Sequence, residues 1–273
     1  MANRPSNDPT PIEALKWLRS AGVDLAVGDE PADKYAESAL APAKTTIPMT
    51  VPAPSLPAEG LHVSAQRPAG DEADPRSARE LAASASNLAE LENILRAFDG
   101  CGLKRRATQL VFADGNPDAD VMLVGEAPGS EEDLKGKPFV GRSGQLLDRM
   151  LAAIGLDRTS VYIANTVPWR PPGNRTPTPS EIAVCLPFLH RQIEFVSPKF
   201  IMTLGAPAAQ TLFETRTSIS RLRGQWRDLQ VGALTIRAIP TMHPAYLLRV
   251  PKQKKLAWQD LLSLRQALDG END

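Results

Sequence analysis

Three side chains of this 273-residue sequence are of types that hydrolysis or base reading would use: Glu126, Asn165 and His243. A carboxylate can orient or deprotonate water, and an imidazole can donate toward charge building on a leaving group. A carboxamide offers a donor and an acceptor side by side. Each of the three follows an apolar run: Val121-Met-Leu-Val124 leads into Gly125-Glu126-Ala127-Pro128-Gly129, Val161-Tyr-Ile-Ala164 into Asn165, and Leu234–Ile239 into Pro240-Thr-Met-His243. In an open parallel sheet, ligands bind outside the carboxyl ends of the strands, so the three residues would converge on one crevice. Singly, Asn165 reads as a turn former, His243 as a satisfied structural group and Glu126 as a strand-end carboxylate. Together they read as a site.

Dinucleotide and ATP chemistry find no support here. The Gly125–Gly129 turn lacks the Gly-Lys-Ser/Thr ending of a triphosphate loop, and Pro128 removes an N–H from it. No G-x-G-x-x-G follows a strand.

The elements that must hold these residues can be read from periodicity. Apolar runs predict strands over 121–124, 161–164, 200–204 and 234–239. Helical patterns cover 78–97, 144–154, 180–195, a segment from Ala206, and 255–268. Strand–helix alternation predicts an α/β fold: a three-layer αβα sandwich around a mostly parallel, four-stranded sheet. Ahead of it, residues 27–76 are rich in Pro, Ala, Ser and Glu and predict a disordered linker. Residues 1–26 carry one short helix, with Thr10 as cap, Pro11 at its first position, and Ile12, Leu15 and Leu18 on one face. This helix either rests on its own domain or docks a protein partner. Residues 77–273 form the catalytic domain.

Charge and cysteine content narrow the setting. Residues 1–97 hold 9 basic and 14 acidic side chains, against 22 and 18 in the remainder, so a mildly basic body follows an acidic leader. That balance is compatible with a polyanionic partner. Two cysteines, Cys101 and Cys185, are too few for a disulfide framework or a four-thiolate metal site. No apolar run reaches about 18 residues, so no membrane span is expected, and the N-terminus lacks a secretory apolar core. The cytoplasm is the expected compartment.

Longer motifs carry a resemblance. Gly125-Glu-Ala-Pro-Gly-Ser-Glu-Glu-Asp133 with Gly136-Lys-Pro-Phe-Val-Gly-Arg-Ser-Gly-Gln-Leu-Leu147 resembles the first motif of family 4 uracil-DNA glycosylases. Asn165-Thr-Val-Pro-Trp-Arg-Pro-Pro-Gly-Asn-Arg175 and His243-Pro-Ala-Tyr-Leu-Leu-Arg249 are similar to two further motifs, in the same order. The resemblance implies a monomer that removes uracil from DNA to leave an abasic site, in base excision repair at the nucleoid. It assigns catalysis to Glu126 and His243 and uracil reading to Asn165. It further assigns stacking on the flipped base to Phe139, and backbone contacts to the base or a phosphate to Ala127 and Gly129. Leu247 becomes a wedge into the vacated stack, with Leu248 or a core role as alternatives. Arg142, Arg175 and Arg249 become phosphate ligands, with Arg170, Lys252, Lys254 and Lys255 nearby. Members usually hold a [4Fe–4S] cluster on four cysteines, but here those places read Phe98, Cys101, Trp169 and Cys185. With two thiolates of four, no cluster and no other metal is expected. A related branch attacks the sugar through a histidine in a basic insertion; Gly173-Asn-Arg-Thr-Pro177 has none, which predicts turnover by water. Two other readings remain open: a DNA-binding member with little catalysis, and a glycosylase for another deaminated base.

Overall fold

The computed structural model describes residues 74–270. The expected N-terminal helix and nearly all of the expected linker lie outside the described residues. Two helices open the described chain, α1 (Pro75–Ser84) and α2 (Leu88–Ala97). Then come β1 (Asp114–Gly115), β2 (Val121–Gly125), α3 (Ser130–Lys135), α4 (Arg142–Ala152) and β3 (Val161–Asn165). After these follow α5 (Pro179–Val196), β4 (Phe200–Leu204), α6 (Ala206–Leu212), α7 (Ile219–Leu222), β5 (Arg227–Val231) and β6 (Leu234–Thr241). Helices α8 (Pro244–Arg249) and α9 (Lys254–Gly270) close it.

The strands form one mixed sheet in the order β1-β3-β2-β4-β6-β5. Its four central strands are parallel and are the four expected from the apolar runs. The sheet has six strands rather than four, because β1 and β5 add antiparallel edges. Neither edge carries an apolar run. β1 is two residues long, and β5 buries only Leu229 and Val231 of Arg-Asp-Leu-Gln-Val.

Side chains that alternate along each strand reach opposite faces of the sheet. Val121, Leu123, Ile163, Phe200, Met202 and Leu204 face one way and pack on α4, α8 and α9. Met122, Val124, Tyr162, Ala164 and Ile201 face the other way and pack on α5 and α6. Every residue of β2, β3 and β4 is buried, which is why they read as unbroken apolar runs. A third apolar cluster joins α1, α2 and the loop after them to α5.

The helix expected over 78–97 is two. Ser84-Ala85-Ser86-Asn87 offers side chains that compete for backbone bonds: Asn87 accepts from the Glu90 N–H at 2.9 Å, and Glu90 accepts from the Ser86 N–H at 2.8 Å. Helix α5 begins on a capping box, Thr178 with Glu181, and Pro179 takes its first position.

Candidate active site

Strand ends place the chemistry. β2 and β3 run in register to their last residues, Gly125 opposite Asn165. The pairing continues beyond them, with Thr166 N–H donating to Gly125 O at 2.9 Å and Val167 N–H to Glu126 O at 3.1 Å. On the other side, Leu204 lies opposite Thr241, and Gly205 N–H donates to Thr241 O at 2.9 Å. Two residues on, His243 caps α8, whose Pro244 suits the first turn. Glu126, Asn165 and His243 thus line one cleft of about 830 Å³, together with Ala127, Gly129, Phe139, Arg175 and Arg249.

The protonation states follow from contacts. His243 Nδ1 accepts from the Ala245 N–H at 3.1 Å, which leaves Nε2 to carry the proton. Burial pushes the imidazole down to about 4, and the positive charge of Arg249 adds to that, so it is neutral at pH 7. Gly205, at φ 96°, makes this position possible: a Cβ there would stand 2.9 Å from His243 Cβ. Glu126 moves the opposite way. Burial raises its carboxyl above the usual range, against a hydrogen bond from the Thr176 side chain.

Asn165 and Phe139 meet over Gly125. Asn165 is 5% exposed, and its Oδ1 has no hydrogen-bond partner. A buried acceptor in that state costs roughly 1–3 kcal/mol, so the cleft is incomplete without a donor there. The Phe139 ring centroid is 5.6 Å from that of His243. A Cβ on Gly125 would fall 2.4 Å from Asn165 Oδ1 and 2.6 Å from Phe139 Cζ, so only glycine permits both neighbours.

One residue that the motif reading passed over ties these walls together. Glu132 is buried, and its carboxylate accepts from Gly129 N–H at 3.2 Å and from Val140 and Gly141 N–H at 2.9 Å each. Its signal in the sequence is a carboxylate three places after a turn glycine at a helix start. The Gly129 N–H, expected to reach a base or phosphate, is therefore engaged within the protein.

The family model described as Uracil DNA glycosylase superfamily matches residues 112–262. The chain belongs to that superfamily. It is 41% identical over 175 residues to the type-4 uracil-DNA glycosylase of Archaeoglobus fulgidus, covering 62% of this chain and 88% of the relative. Against the type-4 enzyme of Saccharolobus solfataricus it is 38% identical over 190 residues, with 68% and 88% covered. With that of Thermotoga maritima the figures are 47% over 150 residues, 55% and 77%. Within the uracil-DNA glycosylase superfamily its place is therefore with the type-4 members.

The residues expected to touch DNA divide. Arg249 is exposed at the cleft, and Arg142 is exposed at the start of α4, outside the cleft lining. Arg175 lines the cleft but is held by both Glu181 oxygens, at 2.6 and 2.8 Å. Leu247 is 1% exposed within the apolar cluster under α4 and α9, so it is a core residue and not a ready wedge. Its neighbour Leu248 is partly buried against the same cluster, while Tyr246 lines the cleft. Lys252, Lys254 and Lys255 are exposed beyond it.

Phe98, Cys101, Trp169 and Cys185, at the places where the resemblance puts four thiolates, lie in one buried apolar cluster. Phe98 stacks at a tilt on Phe188 with centroids 5.1 Å apart, and Trp169 is fully buried. An iron–sulfur cluster of this kind needs about four thiolate ligands, so this donor set does not fit it. Among the described residues no group of three or more His, Cys, Asp or Glu could hold a metal ion. No described helix is long and apolar enough to cross a membrane.

Proposed function

We propose that this chain hydrolyses the bond between uracil and deoxyribose in DNA, leaving an abasic site for repair. The observation that carries the reading is the buried, unpartnered Oδ1 of Asn165 beside a stacking ring. Uracil offers N3–H to that oxygen and O4 to the carboxamide N–H. Cytosine presents a bare N3 and an amino group, which leaves buried groups unpaired on both sides.

Uracil becomes reachable only when its nucleotide leaves the stack, at a cost of roughly a few kcal/mol. Phe139 then stacks on the ring. Bond breaking leaves positive charge on the sugar and negative charge on the base. The neutral His243 donates from Nε2 to O2, where the negative charge grows. Such a preorganised donor is worth roughly 3 kcal/mol. Glu126 orients the attacking water and faces the cationic sugar, and desolvation strengthens both effects because less water screens its charge. The Ala127 backbone supports the base edge, while Arg249, Arg142 and, once loosened from Glu181, Arg175 take phosphates.

The same reading includes no iron–sulfur cluster: Phe98 and Trp169 supply by packing what ligation supplies elsewhere. Iron analysis of purified protein tests this, and iron approaching a full cluster per chain overturns it. For the activity, the full chain is incubated with an oligonucleotide holding one uracil, then treated with alkali. Cleavage at that position is expected. Intact strands at enzyme excess, with a gel shift still present, would show a DNA-binding protein instead.

A further inference from the structure

Phe139 holds a backbone conformation that its own chemistry disfavours. Its φ is 54°, in the left-handed region, which costs a non-glycine residue roughly 1–2 kcal/mol. The surroundings must impose it. Gly144 in α4 leaves room for the carbonyl: a Cβ there would fall 1.7 Å from Phe139 O. Attraction comes from the α4–β3 connection, where Arg158 donates through Nη2 to Phe139 O and through Nη1 to Pro138 O at 3.1 Å.

The guanidinium is itself aimed. Nη1 meets Asp114 at 2.8 Å, and Nε meets Asp148 at 2.8 Å. Asp114 stands on β1, the short edge strand paired with β3, and also accepts from Lys137 Nζ at 3.1 Å. The two carboxylates fix the orientation of the planar fork, so that its remaining N–H groups land on the consecutive carbonyls of Pro138 and Phe139. A lysine has no such fork and cannot serve all four acceptors. Arg158 does not line the cleft.

We propose that Arg158 is a positioning residue for excision, fixing the Phe139 ring where the extruded base stacks, with Asp114 and Asp148 aiming it. The proposal rests on the reading above in which Phe139 stacks on uracil. Its effect on the reaction therefore passes through Phe139 alone.

A double-mutant cycle tests that route. Single-turnover excision is measured across enzyme concentration for the full chain, R158M, F139A and the double variant, with thermal unfolding followed alongside. Loss of ring placement in R158M is expected to lower the maximal rate roughly tenfold. In the F139A background the same change is expected to have no further effect, because the ring it positions is gone. A merely structural role would lower stability and rate alike in both backgrounds. R158K and D148N read the same route more gently should R158M not fold, with smaller losses that again vanish beside F139A. Equal loss in both backgrounds overturns the proposal. An impaired F139A beside an unimpaired R158M overturns it while leaving the stacking reading intact. An unimpaired F139A removes the stacking reading, and this proposal with it.

Discussion

Strand β3 feeds two regions that solve different problems. Its last residue, Asn165, enters the cleft, and Trp169, four residues on, enters the apolar cluster between α1, α2 and α5. In the cleft, groups are held in states that cost free energy: an unpartnered oxygen, a desolvated carboxyl, an imidazole kept neutral and a phenylalanine at positive φ. In the cluster no described residue stands at positive φ, and the Phe98 and Trp169 rings are packed among apolar side chains. Chemistry needs particular atoms at particular points, whereas packing needs volume and apolar surface. On the proposed reading, that is why Phe98 and Trp169 can stand where the resemblance puts thiolates while acid, amide and imidazole still meet in the cleft.

The contrast breaks most readily at Trp169. Trp169→Ala is expected to cost about 3–5 kcal/mol of unfolding free energy in denaturant titration, through the cavity it leaves. Its single-turnover rate, taken where the variant is still folded, should stay within a few-fold of the parent. A rate loss as large as the stability loss would mean that the two regions are one machine. His243→Ala should do the reverse, lowering the single-turnover rate roughly 10²–10³-fold with little change in unfolding. Asn165→Ala should lower the rate on uracil by roughly 10–10²-fold, since a buried donor–acceptor pair is lost. Competition between uracil and cytosine oligonucleotides checks that the loss is one of discrimination.

The smallest effect is on stability and pH. Burial favours protonated Glu126 in the folded state, so its charge works against folding once pH exceeds the ordinary carboxylate value. Glu126→Gln should therefore raise Tm at pH 7, and the gain should fade as pH falls through the raised folded value toward about 4.5 and be absent below it, where the parent is protonated in both states. The rate follows a separate rule. In the proposed mechanism excision needs Glu126 ionised and His243 neutral, so on acidification the parent is expected to lose rate first through Glu126. A steeper fall follows below about 4, where His243 takes a proton. A single acid limb starting near 6.5 would mean that His243 is not shielded as described.

Strands β2, β3 and β4 were legible because fully buried parallel strands are unbroken apolar runs, and β6, which exposes Thr235 and Arg237 near its start, was legible from its buried inner half. Their carboxyl ends therefore follow at once from the letters. The edges were not. Asp114–Gly115 is too short to show a period, and its worth lies in delivering Asp114 to Arg158, a contact between segments 44 residues apart. The break at Ala85–Asn87 was legible in principle, since Asn87 and Glu90 form a helix-start signature, but the leucines on either side continue one helical face. Leu247 shows the limit of motif reasoning: the motif leaves wedge and core both open, and the fold places it on a helix whose inward face packs on α4. Glu132 was marked only by its spacing from Gly129, because the Val140 and Gly141 amides that it also gathers are partners no pattern of side chains reveals.

Gly125 gives the cleft a fixed gauge. Between the Phe139 ring and the Asn165 carboxamide the protein interposes one hydrogen atom, and no exchange of side chain can take away more. Any attempt to widen this enzyme for a larger lesion must therefore move strand β2 itself.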